Sequence, residues 1–173
     1  MKIISASGLA ILFMAACNQP AMDRKQAEAI IRTEKAYPKA YEYDINMADP
    51  ASAKKLIDAG LESEGLVTID RTQKLKDAGK PIVHFTDKAK PYLVRIDAKY
   101  DNVQVVKVAD MDLGEITNIQ EKDDKLSAIV EYTIVYKYIT PFAKLIQRDL
   151  SKPDTQRAEL YFFDSGWKLK KQR

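Results

Sequence analysis

With one cysteine and one histidine in 173 residues, the chain lacks most of the usual side chains of enzyme chemistry. A sole cysteine, Cys17, forms no internal disulfide, so the fold must hold by packing alone. A sole imidazole, His84, cannot build a histidine-rich metal site, and no serine or aspartate stands at a spacing that marks it as part of a triad. Glycine is scarce at six residues. No Gly-rich phosphate loop, Walker motif, Gly-x-Ser-x-Gly elbow or His-Glu-x-x-His occurs. No apolar run approaches the ~20 residues that cross a bilayer as a helix. Neither sign of charge dominates, with 28 basic residues against 25 acidic, which gives no reason to invoke nucleic acid as a partner. Repeats and low-complexity tracts are missing as well. These absences point away from catalysis, and no metal or cofactor is expected.

The strongest positive signal is at the N-terminus. Met1-Lys2 supplies a positive start, and Ile3 to Met14 is a short, mostly apolar run with the length of a signal-peptide core. It ends in Met14-Ala15-Ala16-Cys17, two small residues directly before the cysteine. This pattern resembles the lipobox of bacterial lipoproteins, with Met14 where Leu is usual. The resemblance implies cleavage after Ala16 and a diacylglycerol, with further acyl chains, on Cys17. Each buried methylene of such chains contributes ~0.8 kcal/mol, so two or three chains anchor durably. Asn18 rather than Asp follows the cysteine. By similarity to enteric sorting patterns, that implies the outer membrane, facing the periplasm, with inner-membrane retention as the alternative. Removal of residues 1–16 takes away Lys2 alone among the charges, leaving 27 basic against 25 acidic.

The mature chain divides into a tether at 17–22, a helical half at 23–98 and a sheet half at 99–173. Asp23 predicts an N-cap, and Ala27, Ile30 and Ile31 lie at helical spacing, giving a first helix to about Tyr37, before Pro38. Tyr41 and Tyr43 follow in a segment without a clear assignment. Asp49 and Pro50 predict the start of a second helix, and Gly60 its end. Leu66–Asp70 and Ile82–Phe85 read as a hairpin, and Thr86-Asp87 opens one more helical turn. In the second half, 103–108 and 113–119 are strand-like on either side of a bend at Asp110-Met111-Asp112. From Leu126 the alternation is long: Ala128, Val130, Tyr132, Ile134, Tyr136 and Tyr138 share one face. Pro141–Arg148 suits a short helix. Residues 159–163 and 167–171 form a closing hairpin across Asp164-Ser165-Gly166. The expected fold is α+β, with N-terminal helices and a small hairpin covering a twisted antiparallel sheet of about five strands.

Two resemblances accompany this reading. Leu56-Ile57-Asp58-Ala59-Gly60-Leu61, a hairpin, and then Phe85-Thr86-Asp87-Lys88-Ala89-Lys90 resemble the winged-helix pattern over 23–95, although Ala89 and Pro91 depart from it. An exported winged helix meets no chromosome, so the resemblance implies a protein-binding version. Phe163-Asp164-Ser165-Gly166-Trp167-Lys168-Leu169 resembles the ending of exported cystatin-like and NTF2-like domains, whose tryptophan packs under the sheet. Such a fold element serves many functions.

Three functions follow in order. The first is a non-enzymatic envelope protein that binds a protein partner in the periplasm, as immunity, exclusion or envelope-assembly factors do, through its helical half or a sheet edge. The second is a small-ligand carrier using the concave face of the sheet, with Tyr132, Tyr136 and Tyr138 as lining. The third, well behind, is a hydrolase pairing His84 with a carboxylate. Lys168 and Lys170, with Lys171 and Arg173, could meet an acidic partner or headgroups, but lysines also protect an edge strand against pairing.

Overall fold

The computed structural model describes residues 21–170; Cys17 and the lipobox-like pattern before it lie outside the described residues. The chain folds as α+β around a curled antiparallel sheet. Helix α1 (Arg24–Glu34) begins where the Asp23 carboxylate accepts the Gln26 N–H at 2.8 Å. It ends three residues earlier than Pro38 alone would require. Lys35 closes the last turn, Ala36 adopts a left-handed conformation, and the Tyr37 N–H returns to the Arg32 carbonyl at 2.9 Å. The unassigned tyrosine segment is strand β1 (Lys39–Asn46). Helix α2 (Pro50–Asp58) is capped by Asp49, which accepts the N–H groups of Ala51 and Ser52 at 3.1 and 3.0 Å.

The remaining strands are β2 (Val67–Ile69), β3 (Val83–Phe85), β4 (Leu93–Ile96), β5 (Val103–Glu121), β6 (Ser127–Lys137), β7 (Asp154–Phe163) and β8 (Gly166–Leu169). The main sheet runs β1-β5-β6-β7-β8, with β4 also paired to β5, while β2 and β3 form a separate two-stranded sheet. The long strand β5 organises the molecule. Its first half lies beside β1 and β4, and its second half beside β6.

One expectation needs correction. Asp110-Met111-Asp112 is no bend, because β5 runs through it unbroken. The charges that suggested a turn are met in place: Asp110 by Lys107 at 2.6 Å, and Asp112 by Arg32 at 2.7 Å and Lys137 at 3.2 Å. The winged-helix arrangement of the N-terminal part is not confirmed. β1 separates the two helices and joins the main sheet, and residues 87–92 form a 3-10 helix with Pro91 inside it. The boundary at 98/99 falls in the turn between β4 and β5, which belong to one sheet.

Curling explains the cores. α1 packs on both β5 and β8, although β6 and β7 lie between those strands. Four strands span ~14 Å, and α1 reaches across that width within the curl of the sheet. Ala27 and Ile31 on α1 are fully buried there against Leu113, Val130, Tyr132, Leu160 and Trp167. Burial of a side chain such as Ile31 contributes about 1.5–3 kcal/mol. A second core joins α2, the β2–β3 hairpin and the start of β5 around Phe142, whose ring meets Phe85 and Tyr92 edge-on at 5.8 and 5.9 Å.

Candidate partner-binding surface

At the start of β5 the sheet presents an open edge. Leu93-Val94-Arg95-Ile96 leaves the 3-10 helix and pairs with β5 through Leu93–Val106, Arg95–Val105 and Ile96–Gln104. Its other side pairs with no strand among the described residues. Arg95 fixes the strand by donating to Glu42 on β1 at 2.6 Å. Asp97 shapes the following turn, accepting the N–H groups of Lys99 and Tyr100 at 2.8 and 3.1 Å. Asn102 then donates to the Gly79 carbonyl at 3.3 Å, tying this turn to the β2–β3 connector.

Exposed apolar side chains stand on β4, on the turn after it and on the β2–β3 connector. Ile96 is 60% exposed, Tyr100 55% and Leu75, on the connector, 93%; Val94 is exposed too. Lys74 and Lys76 flank Leu75, and the Lys99 ammonium sits 4.9 Å over the Tyr100 ring. An unpaired strand edge offers main-chain donors and acceptors, and the side chains beside it supply apolar contact. Together these suit an extended polypeptide added as a further strand.

The residues singled out from sequence do not converge on one place. Tyr132 is 3% exposed and faces α1, so it packs against protein where a carrier would need an open space. Burial raises the Tyr132 and Tyr37 hydroxyls above the ordinary tyrosine range. Tyr136 is half-buried against Tyr41, with ring centres 5.6 Å apart, and its hydroxyl accepts from Arg148 at 3.2 Å. Tyr138 turns the other way. It is 80% exposed and takes a left-handed φ of 48°, which a bulky residue seldom adopts. Lys170 is committed to Glu159 at 2.8 Å and lies 5.6 Å over the Tyr161 ring, while Lys168 is exposed on β8.

His84 does have a carboxylate beside it, which spacing did not reveal. Its Nε2 lies 3.1 Å from Asp70 Oδ2, across the β2–β3 hairpin. Both side chains are about half exposed, and Asp70 is the hydrogen-bond partner of His84 among the described residues. Among those residues no group of three His, Cys, Asp or Glu side chains could hold a metal ion. An open groove of ≈ 570 Å³, with Lys55, Asp58 and Lys144 in its lining, lies between α2 and residues 144–147. The apolar edge itself was missed. Leu93-Val94-Arg95-Ile96 carries a branched apolar pattern, but only four residues close behind Pro91 give a weak strand signal.

Comparison of the chain with protein-family models, with curated proteins and with solved structures found no match.

Proposed function

We propose that this is a lipid-anchored protein of the cell envelope that binds a protein partner in the periplasm without a catalytic step. The observation that carries the proposal is the open β4 edge with Val94, Ile96, Tyr100 and Leu75 exposed around it. The partner it suits is an extended apolar segment with acidic flanks, which Lys74, Lys76 and Lys99 would meet. Immunity, exclusion and envelope assembly are roles of this kind. The outer membrane, facing the periplasm, is the location that Asn18 after Cys17 supports.

The winged-helix likeness belongs to the same proposal in its protein-binding form, resting on α2 followed by the β2–β3 hairpin. The cystatin-like and NTF2-like likeness rests on Trp167 at the start of β8, packed in the core beneath α1.

A photo-reactive residue at Ile96 in the full-length protein, activated in living cells, tests the binding surface. One dominant adduct is expected, absent from a control probe at Thr155 on β7 and lost in Val94→Asp. Equal labelling from both positions refutes the edge as the binding site. Cys17→Ser tests the anchor separately: the variant should move to the soluble periplasmic fraction with its fold intact, and its persistence in the membrane fraction refutes anchoring.

A further inference from the structure

The two hairpin turns at the far end of β5 meet where the N-terminal tether enters the fold. The Met22 N–H donates to Glu121 Oε1 at 2.7 Å, on the last residue of β5. Cys17 precedes Met22 by five residues, a reach of at most about 18 Å even when fully extended. Any anchor on Cys17 therefore holds this end of the sheet close to the bilayer surface.

Two side chains at this end are poorly covered. Leu126, in the turn between β5 and β6, is 49% exposed, and Phe163, at the end of β7, is 53% exposed. They stand at one end of the sheet: the Phe162 N–H donates to the Leu126 carbonyl at 2.8 Å, joining the two turns. The turn that carries Leu126 is held in shape, since Asp124 accepts the N–H groups of Leu126 and Ser127 at 2.9 and 3.2 Å.

We propose that this end is a membrane-seating surface, in which Leu126 and Phe163 enter the interfacial region of a zwitterionic bilayer beside the acylated Cys17. The inference rests on the lipid-anchor reading of Cys17. The short tether supplies the proximity, and the apolar side chains supply the contact. Zwitterionic lipid is the fitting chemistry because residues 121–126 and 163–166 carry four carboxylates and two lysines, a balance that anionic headgroups would repel. Seating fixes the direction of β5, so β4 and its open edge are carried away from the surface.

The test uses the full-length lipidated protein in phosphatidylcholine vesicles with brominated acyl chains. Acylated Cys17 leaves a single introduced thiol to carry a fluorophore, placed in turn by Ser165→Cys, Asp123→Cys and, as the distal control, Ala98→Cys. Strong quenching is expected at 165 and 123 and little at 98. The double change Leu126→Ser, Phe163→Ser should lower the equilibrium in favour of the seated orientation by about tenfold, and anionic lipid should weaken it too. Quenching at 165 and 123 no greater than at 98, in protein that floats with the vesicles, overturns the seating surface alone. Quenching that survives the double change overturns the role of the two side chains. Protein that fails to float overturns the anchor and this inference together. A missing adduct at Ile96 overturns the partner edge and leaves the quenching pattern as expected.

Discussion

Gly114 is the position where the close approach of β5 to β6 can be tested by adding one methyl group. Its Cβ would overlap Thr133 Oγ1 and would stand 3.2 Å from Val135 Cγ1 and 3.3 Å from the Thr133 carbonyl oxygen. The Thr133 hydroxyl also accepts the Glu115 N–H at 3.0 Å, where the β5–β6 register shifts between Leu113 and Ile116. Gly114→Ala therefore forces the hydroxyl away and strands that N–H, a loss of about 0.5–1.5 kcal/mol. Crowding against Val135 and the carbonyl adds about 1–3 kcal/mol. Restricting the unfolded chain returns about 0.4–1 kcal/mol. The net expectation is a destabilisation of about 2 kcal/mol, or a fall of about 4–8 °C in Tm for a chain of this size. Urea unfolding followed by the fluorescence of Trp167, the chain's one tryptophan, measures it. Thr133→Ala alone should cost about 1 kcal/mol through the lost acceptor. Because that change also clears the space, the double variant should be no worse than Gly114→Ala by itself, a strong non-additivity. Strict additivity of the two losses would refute the steric argument, as would a Gly114→Ala protein of unchanged stability.

Two further outcomes concern titration. Burial opposes ionisation of Asp112, but hydrogen bonds from Lys137 and Arg32 outweigh it and hold its pKa below the usual carboxylate range. A depressed folded-state value gives stability that is complete above the unfolded pKa of about 3.9 and lost as pH falls through the folded value. Asp112→Asn should cost about 1 kcal/mol near neutrality and flatten the acid limb of the stability curve, and an unchanged acid limb counts against the pairing. At the alkaline end the sign reverses. Burial raises Tyr37 and Tyr132, so their contribution is complete below about pH 10 and fades above it. Near-UV titration should show both ionising only as the fold opens, and their ionisation in the intact fold would contradict the packing described.

Much of the scaffold was legible because its signals are local. Asp23 and Asp49 sit at helix starts as caps, and the alternation from Ala128 to Ile134 places one face of β6 in the core. Other elements depended on partners far along the chain. Asp110-Met111-Asp112 looks like a turn in isolation and becomes strand once Lys107, Arg32 and Lys137 neutralise its carboxylates. Lys39–Asn46 alternates well, but its strand character comes from a register with β5 more than fifty residues away. Of the tyrosines nominated as ligand lining, Tyr132 follows the alternation into the core, Tyr136 is half-buried beside Tyr41, and Tyr138 lies just past the end of β6 and is exposed. What the alternation does not carry is that α1 packs over Tyr132. The apolar edge of β4 escaped notice because its significance lies in what does not cover it, which four residues of sequence cannot express.

The antiparallel ladders of β5 also bear on how the molecule would carry load. With the proposed partner at β4 and the proposed anchor beside Met22, load would enter near opposite ends of a nineteen-residue strand, along its axis. Force in that direction shears the hydrogen bonds that join β5 to β1 and β6, so that many bonds share the strain at once. Pulling across the sheet, as at the free edge of β8, would open them one after another. The same protein should therefore be stiff when drawn away from the membrane and weak when peeled from its side.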